Sequence, residues 1–254
     1  MIWSHAILAS VIEGIAQWFP VSYFGHAIAI QNIFKLSIPS FVLFLEFASA
    51  LAAIVLLWED IVRIFSFKDE NSKKYLLMIL ISLVPLVLAA LFLRNRLPEI
   101  LFGDYIVMGG FFAASGIFIF LTKFAKERKD EPGWITSIII GLVQALWIFP
   151  GFSRVGLTIS TGMFSGVKKE ESLRFSLIIS IPALIFLAIV NAGVITTGNA
   201  SILMLIVTSI IAFGVSLGVI MLLLKIVRED KFHWFGLYDF AVGAALIIYG
   251  LMLK

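Results

Sequence analysis

Apolar runs about as long as a bilayer crossing, roughly 20 residues, recur along the chain. They cover residues 41–58, 75–93, 105–122, 172–195, 201–225 and 237–253. Hydrocarbon offers no partner to a backbone N–H or C=O, so only helices and closed barrels cross it. Period-2 alternation is absent, which leaves helices. Composition agrees: 61% of residues are hydrophobic and 14% charged, where a soluble domain carries about 25% charge. The expected fold is an all-α polytopic membrane protein, a single membrane domain over 1–254. With no cysteine, disulfides and thiolate metal sites are excluded. The net charge of +3 is small. The bilayer is the expected surrounding partner, and no nucleic acid is expected. The N-terminus lacks a basic region and a small-residue cleavage site, so no removable leader is expected.

Two stretches cannot continue as spanning helices. Phe149-Pro150-Gly151-Phe152-Ser153-Arg154-Val155-Gly156-Leu157-Thr158 holds a proline, two glycines, two hydroxyls and an arginine within apolar surroundings. Proline removes a donor and glycine permits unusual backbone. Such backbone survives at membrane depth only where protein or water satisfies it. Arg154 offers a planar fork of donors suited to phosphate. The stretch reads as a re-entrant loop presenting Arg154, Ser153 and the N–H groups around Gly151 and Gly156 to an anion. Pro20 ends a first apolar segment in the same way.

Six transmembrane helices and two re-entrant helical hairpins, 1–39 and 134–169, follow from this reading. Cations then collect in the connections near 59–74, 123–133, 166–169 and 225–231. The opposite face keeps only Lys35, Arg94, Arg96 and Lys254. The positive-inside rule makes the first face cytoplasmic, with both termini outside. Trp58, Trp134 and Trp234 fall at the inner boundary, as interfacial tryptophans do. Phe19-Pro20-Val21-Ser22-Tyr23-Phe24-Gly25 repeats the Phe-Pro and Ser-x-x-Gly pattern of the second stretch, about half the chain away. The hairpins enter from opposite faces, so the halves, roughly 1–124 and 134–254, form an inverted repeat. Inverted repeats with broken helices place a polar site near the midplane.

Intramembrane polar residues are few and costly, so each is expected to face protein. They are Glu13, Gln17, Ser22, His26, Glu46, Gln144, Ser153, Arg154 and Thr158. Glu13 and Gln17 share a helix face. If the hairpin tips meet, guanidinium, imidazole, hydroxyl and carboxylate converge, a set suited to phosphoryl transfer. Arg154 would neutralise the phosphoryl group. His26 would attack phosphorus or activate water. A carboxylate would orient His26 or help hold a divalent cation. Glu46 has a second reading, as an internal counter-ion for Arg154.

At these residues the sequence resembles the undecaprenyl-diphosphatase family, the bacitracin-resistance phosphatases. The family motif Glu-Gly-x-Thr-Glu-Phe-Leu-Pro-Val-Ser-Ser-Thr-Gly-His corresponds to Glu13-Gly14-Ile15-Ala16-Gln17-Trp18-Phe19-Pro20-Val21-Ser22-Tyr23-Phe24-Gly25-His26. The second, Pro-Gly-x-Ser-Arg-Ser-Gly-x-Thr, corresponds to Pro150 through Thr158 with one change, Val155. Similarity continues through Gly166, Glu170, Glu171, Arg174 and Pro182. The resemblance implies a plasma-membrane enzyme that hydrolyses a polyprenyl diphosphate to the monophosphate, recycling the carrier lipid of cell-wall glycan assembly, with its site opening outward. It maps family functional positions to Glu13, Ser22, His26, Ser153, Arg154 and Thr158; with Glu46 added from the buried polar set, the expected catalytic residues are His26, Arg154, Glu13, Glu46 and Ser22. Ser153, Thr158, Gly151, Gly156, Gln17 and Tyr23 would bind substrate. Glu13 and Glu46 would hold any Mg2+ or Ca2+. A homodimer is the assembly to test for.

Three departures from the family pattern matter for the chemistry. Gln17 replaces the second glutamate, Tyr23 the second serine and Phe24 the threonine. Tyr23 places its oxygen several ångströms beyond a serine's, so His26 becomes the preferred attacker or base. Glu46 aligns where the family commonly has glutamine, so acid and amide have exchanged places. Two alternatives stay open: a polyprenyl-phosphate transporter or scramblase that has lost catalysis, and a phosphatase for another isoprenoid or lipid phosphate.

Overall fold

A computed structural model describes residues 3–34, 42–67, 70–92, 104–191 and 201–253. Those residues form eleven α-helices and no strand. They are α1 (Trp3–Ala16), α2 (Tyr23–Phe34), α3 (Val42–Leu56), α4 (Trp58–Phe65), α5 (Glu70–Phe92) and α6 (Tyr105–Phe120). Then follow α7 (Trp134–Ala145), α8 (Arg154–Phe164), α9 (Lys169–Asn191), α10 (Ile202–Arg228) and α11 (Trp234–Met252). Caps begin several of them. Asp104 accepts from Ile106 N at 2.8 Å to start α6, and Ser201 from Met204 N at 3.2 Å to start α10. Such caps satisfy first-turn donors that have no helical partner.

Among the described residues, four helices are long and apolar enough to cross a membrane: Glu70–Phe92, Tyr105–Phe124, Ile202–Arg228 and Trp234–Met252. The other two expected crossings, α3 and α9, border residues outside the description and are not in that count. The α3 helix is described over only 15 residues. The α9 helix opens on Lys169, Glu170, Glu171 and Arg174. Leu51, Leu88, Ile210 and Leu251 are among many exposed apolar side chains, the surface of a multi-pass membrane protein.

Both broken stretches are helix–turn–helix units. The first runs from α1 through 17–22 into α2. The second runs from α7, through a 3₁₀ turn at Leu146–Ile148 and residues 149–153, into α8. The first packs its α1 on α10 and α3, and the second its α7 on α5. Gly14 and Gly141 allow these approaches. A Cβ on Gly14 would lie 2.8 Å from Val215 of α10, and one on Gly141 would collide with Ser82 O and Pro85 of α5. The α3 and α9 helices pack on each other, with α3 also on α10 and α9 on α5. The tightest seam joins α6 to α11, where Gly109 faces Gly243 and Gly116 faces Gly236.

The charged connections gather at one end. Lys129 bridges to Val167, Lys168 pairs with Asp130 at 2.6 Å, Lys169 pairs with Asp230, and Arg174 with Asp60 at 2.9 Å. Lys35, Arg94, Arg96 and Lys254, expected on the opposite face, lie outside the described residues, as do the ends of the first hairpin.

Candidate active site

The two hairpin tips touch. Ser22 Oγ accepts from the N–H of Gly25 at 3.1 Å, capping α2, and from the N–H of Gly151 at 3.0 Å, across 129 residues of sequence. The approach leaves no space for side chains. A Cβ on Gly25 would lie 2.9 Å from Gly151 N, and Gly151 itself has φ +116°, a region that glycine enters without penalty. In the second tip Ser153 caps α8 by accepting from Gly156 N at 3.1 Å. Its own N–H donates to Ser115 Oγ of α6 at 3.2 Å. The N–H groups of Gly151 and Gly156, expected to face an anion, are therefore held by the two serines.

The helices α2 and α8 both start at this junction, so two helix N-termini converge on it. Helix N-termini favour anions. Arg154 is the first residue of α8 and adds a full positive charge there. Its side chain is buried, and Nε, Nη1 and Nη2 have no hydrogen-bond partner. The guanidinium lies over the Trp147 ring, 4.5 Å from its centroid. Stacking holds the fork by its face and leaves its edge donors free.

The acids are close by. Arg154 feels the charges of Glu46 and Glu13, and the two carboxylates feel each other. Neither acid is within ion-pair distance of Arg154 among the described contacts. Both Glu13 oxygens are buried without a partner, and the Tyr23 hydroxyl lies beside them. The Gln17 amide, one turn on from Glu13, is buried with its nitrogen unpartnered. Gln144, one turn before Trp147, is buried with both amide atoms unpartnered. Buried charge without hydrogen bonds costs several kcal/mol (~3–5 when one partner of a pair is removed). A ligand that carries both negative oxygens and a cation would satisfy acceptors and donors of this kind together.

His26 and Thr158 take different places. His26 Nδ1 meets the Ser22 carbonyl at 2.7 Å, so it carries the proton and donates. Nε2 is then the acceptor, 2.8 Å from the Tyr238 hydroxyl of α11. The ring packs edge-on to Phe112 and stacks with Tyr238. Both nitrogens are thus taken by groups other than Arg154 or an acid. Thr158 donates to Arg154 O at 2.9 Å and also bonds Ser176 of α9, tying α8 to its neighbour.

Sequence reasoning passed over Trp147, Ser115, Tyr238 and Asp239. Asp239 is fully buried in α11. Its signal was available, since an acid inside an apolar run of span length demands a reason. The stacking of Trp147 had no such signal, because its partner is fixed by the 3₁₀ turn.

Comparison with known proteins adds a separate line. A family profile described as "Bacitracin resistance protein BacA" matches residues 6–245. A protein of Christiangramia forsetii named undecaprenyl-diphosphatase is 31% identical, with 96% of this chain and 97% of that one covered. One of the same name from Korarchaeum cryptofilum is also 31% identical, covering 96% and 98%. One from Buchnera aphidicola is 33% identical, covering 95% of each.

Proposed function

The chain belongs to the bacitracin resistance protein BacA family, and on that footing we propose that it is an integral-membrane undecaprenyl-diphosphate phosphatase. It hydrolyses the lipid diphosphate to the monophosphate and inorganic phosphate. Water attacks the terminal phosphorus, the anhydride P–O bond breaks, and the lipid monophosphate leaves. One observation carries the assignment of the site: a buried guanidinium with three unpartnered nitrogens, at the meeting of two helix N-termini, beside a carboxylate with two unpartnered oxygens.

In this site Arg154 binds the terminal phosphate and neutralises the charge that spreads over its oxygens in the transition state. Glu13 takes the proton of the attacking water, because its buried carboxylate lies within the influence of the Arg154 charge and makes no ion pair with it. His26, favoured for that task by sequence, has its one lone pair on Tyr238 and holds the first tip instead. Ser22 and Ser153 fix the tips, and Gln17, Gln144 and Tyr23 complete the polar wall. The donor set suits a divalent cation: two carboxylates are few for a protein cage, but Mg2+ commonly takes one or two plus substrate phosphate oxygens. Glu13 and Glu46 would hold it, and bound there it would supply further charge neutralisation.

The exchange of packing partners, α1 on α10 and α7 on α5, supports the inverted-repeat reading. So do the paired glycines Gly14 and Gly141. With the gathered cations inside, both termini lie outside and the site opens outward.

The test is phosphate release from undecaprenyl diphosphate by purified protein in detergent. Arg154→Ala should lower kcat/KM by about 10²–10³ or more, the scale of one lost transition-state donor. Glu13→Gln should be at least as damaging. Full activity in both variants would remove this site from consideration.

A further inference from the structure

We propose that α11 holds the two hairpin tips through two adjacent side chains, Tyr238 and Asp239, and that both are positioning residues for phosphoryl transfer. The proposal rests on the phosphatase reading above.

Tyr238 reaches the first tip directly. Its hydroxyl donates to His26 Nε2 at 2.8 Å, and the two rings stack at 5.8 Å with planes 8° apart. The opposite nitrogen of His26 donates to the carbonyl of Ser22. Ser22 in turn receives Gly151 N–H. A chain of three hydrogen bonds therefore runs from α11 through His26 to the junction of the tips.

Asp239 reaches the second tip through one intermediary. It lies on the buried stripe of α11, between Gly236 and Gly243, whose close contacts with Gly116 and Gly109 bring α6 against it. Its carboxylate is buried with neither oxygen in a hydrogen bond among the described residues, where the backbone of Gly116 abuts that of Asp239, and Ser115 of α6 is the side chain that acts on it. Ser115 Oγ accepts the Ser153 N–H at 3.2 Å, so its own proton is free to point at the acid. Ser153 caps α8, and the next residue is Arg154. Any shift of Ser115 is passed to the first turn of α8, which carries the guanidinium. Misplacing a catalytic group by about 1 Å costs on the order of a hundredfold in rate.

The two arms differ in a way that can be measured. Asp239 and Ser115 belong to one arm, so Asp239→Asn and Ser115→Ala should be non-additive. Tyr238→Phe belongs to the other arm and should multiply with either. Each single variant should lower kcat for phosphate release from undecaprenyl diphosphate about five- to thirtyfold, with KM and the thermal midpoint in detergent near wild type. Tyr249→Phe, on the same helix but packed on Tyr105, serves as the neutral control. If Asp239→Asn proves unstable, Ser115→Ala alone carries that arm. Wild-type kcat in Tyr238→Phe and Ser115→Ala overturns the proposal. So does a loss that follows the thermal midpoint, or full additivity of Asp239→Asn with Ser115→Ala. A wild-type protein that releases no phosphate would instead defeat the phosphatase reading.

Discussion

Trp147 shows how one side chain can set the quality of a site without touching the reaction. Its ring bears on the guanidinium of Arg154 at 4.5 Å, and no described hydrogen bond competes for that cation. Trp147→Ala removes a desolvated cation–π contact worth about 2 kcal/mol. The expected result is a fall in kcat/KM on the order of tenfold or somewhat more, with Trp147→Phe intermediate, read by steady-state phosphate release. Glu46 offers a second check. If it shares a cation with Glu13, Glu46→Gln should raise the Mg2+ concentration needed for half-maximal turnover and lower kcat. Unchanged turnover and cation response would refute that role. At this scale the sequence was informative about chemistry and silent about direction. Glu13, Glu46 and Arg154 stand out because charge inside an apolar run needs a purpose. That His26 would face Tyr238 could not be seen, because the contact joins residues 212 positions apart.

Among the elements, the paired helix–turn–helix units were the most legible. Pro20 and Pro150 break the apolar runs where helices end, and Ser22 and Ser153 sit where α2 and α8 begin. Less legible was the function of the glycines beside them. Gly151 lies at φ +116°, and a Cβ there would fall 2.6 Å from Met108 O of α6. Gly151→Ala should therefore cost several kcal/mol, combining backbone strain with a backbone collision (about 1–3 kcal/mol for the strain alone). A thermal midpoint in detergent close to that of wild type would show that the tip is looser than this packing requires. The α3 and α9 helices border residues outside the description, so their full extents as crossings stay open. Four charged residues near the start of α9 place its first turns at the polar end, with Arg174 pairing Asp60 of α4.

The whole molecule joins helices from both halves of the chain: α1 packs on α10, α7 on α5, and α3 on both α9 and α10. The short Phe-Pro repeat was visible in the sequence, while this exchange of partners was not, because it depends on contacts between halves. Orientation can be measured directly, since the chain has no cysteine to remove. Single cysteines placed at Lys126 and at Ser201 should react with a membrane-impermeant maleimide from opposite sides of intact cells, Ser201 from outside. Labelling of both from the same side would contradict the proposed topology. The bond from Ser22 to Gly151 carries one more consequence. Because each tip completes the other's backbone, a motif borrowed from a relative cannot be judged by itself. Chimeras should work when both motifs come from one donor and stall when they are mixed, so the pair is the smallest interchangeable unit of this enzyme.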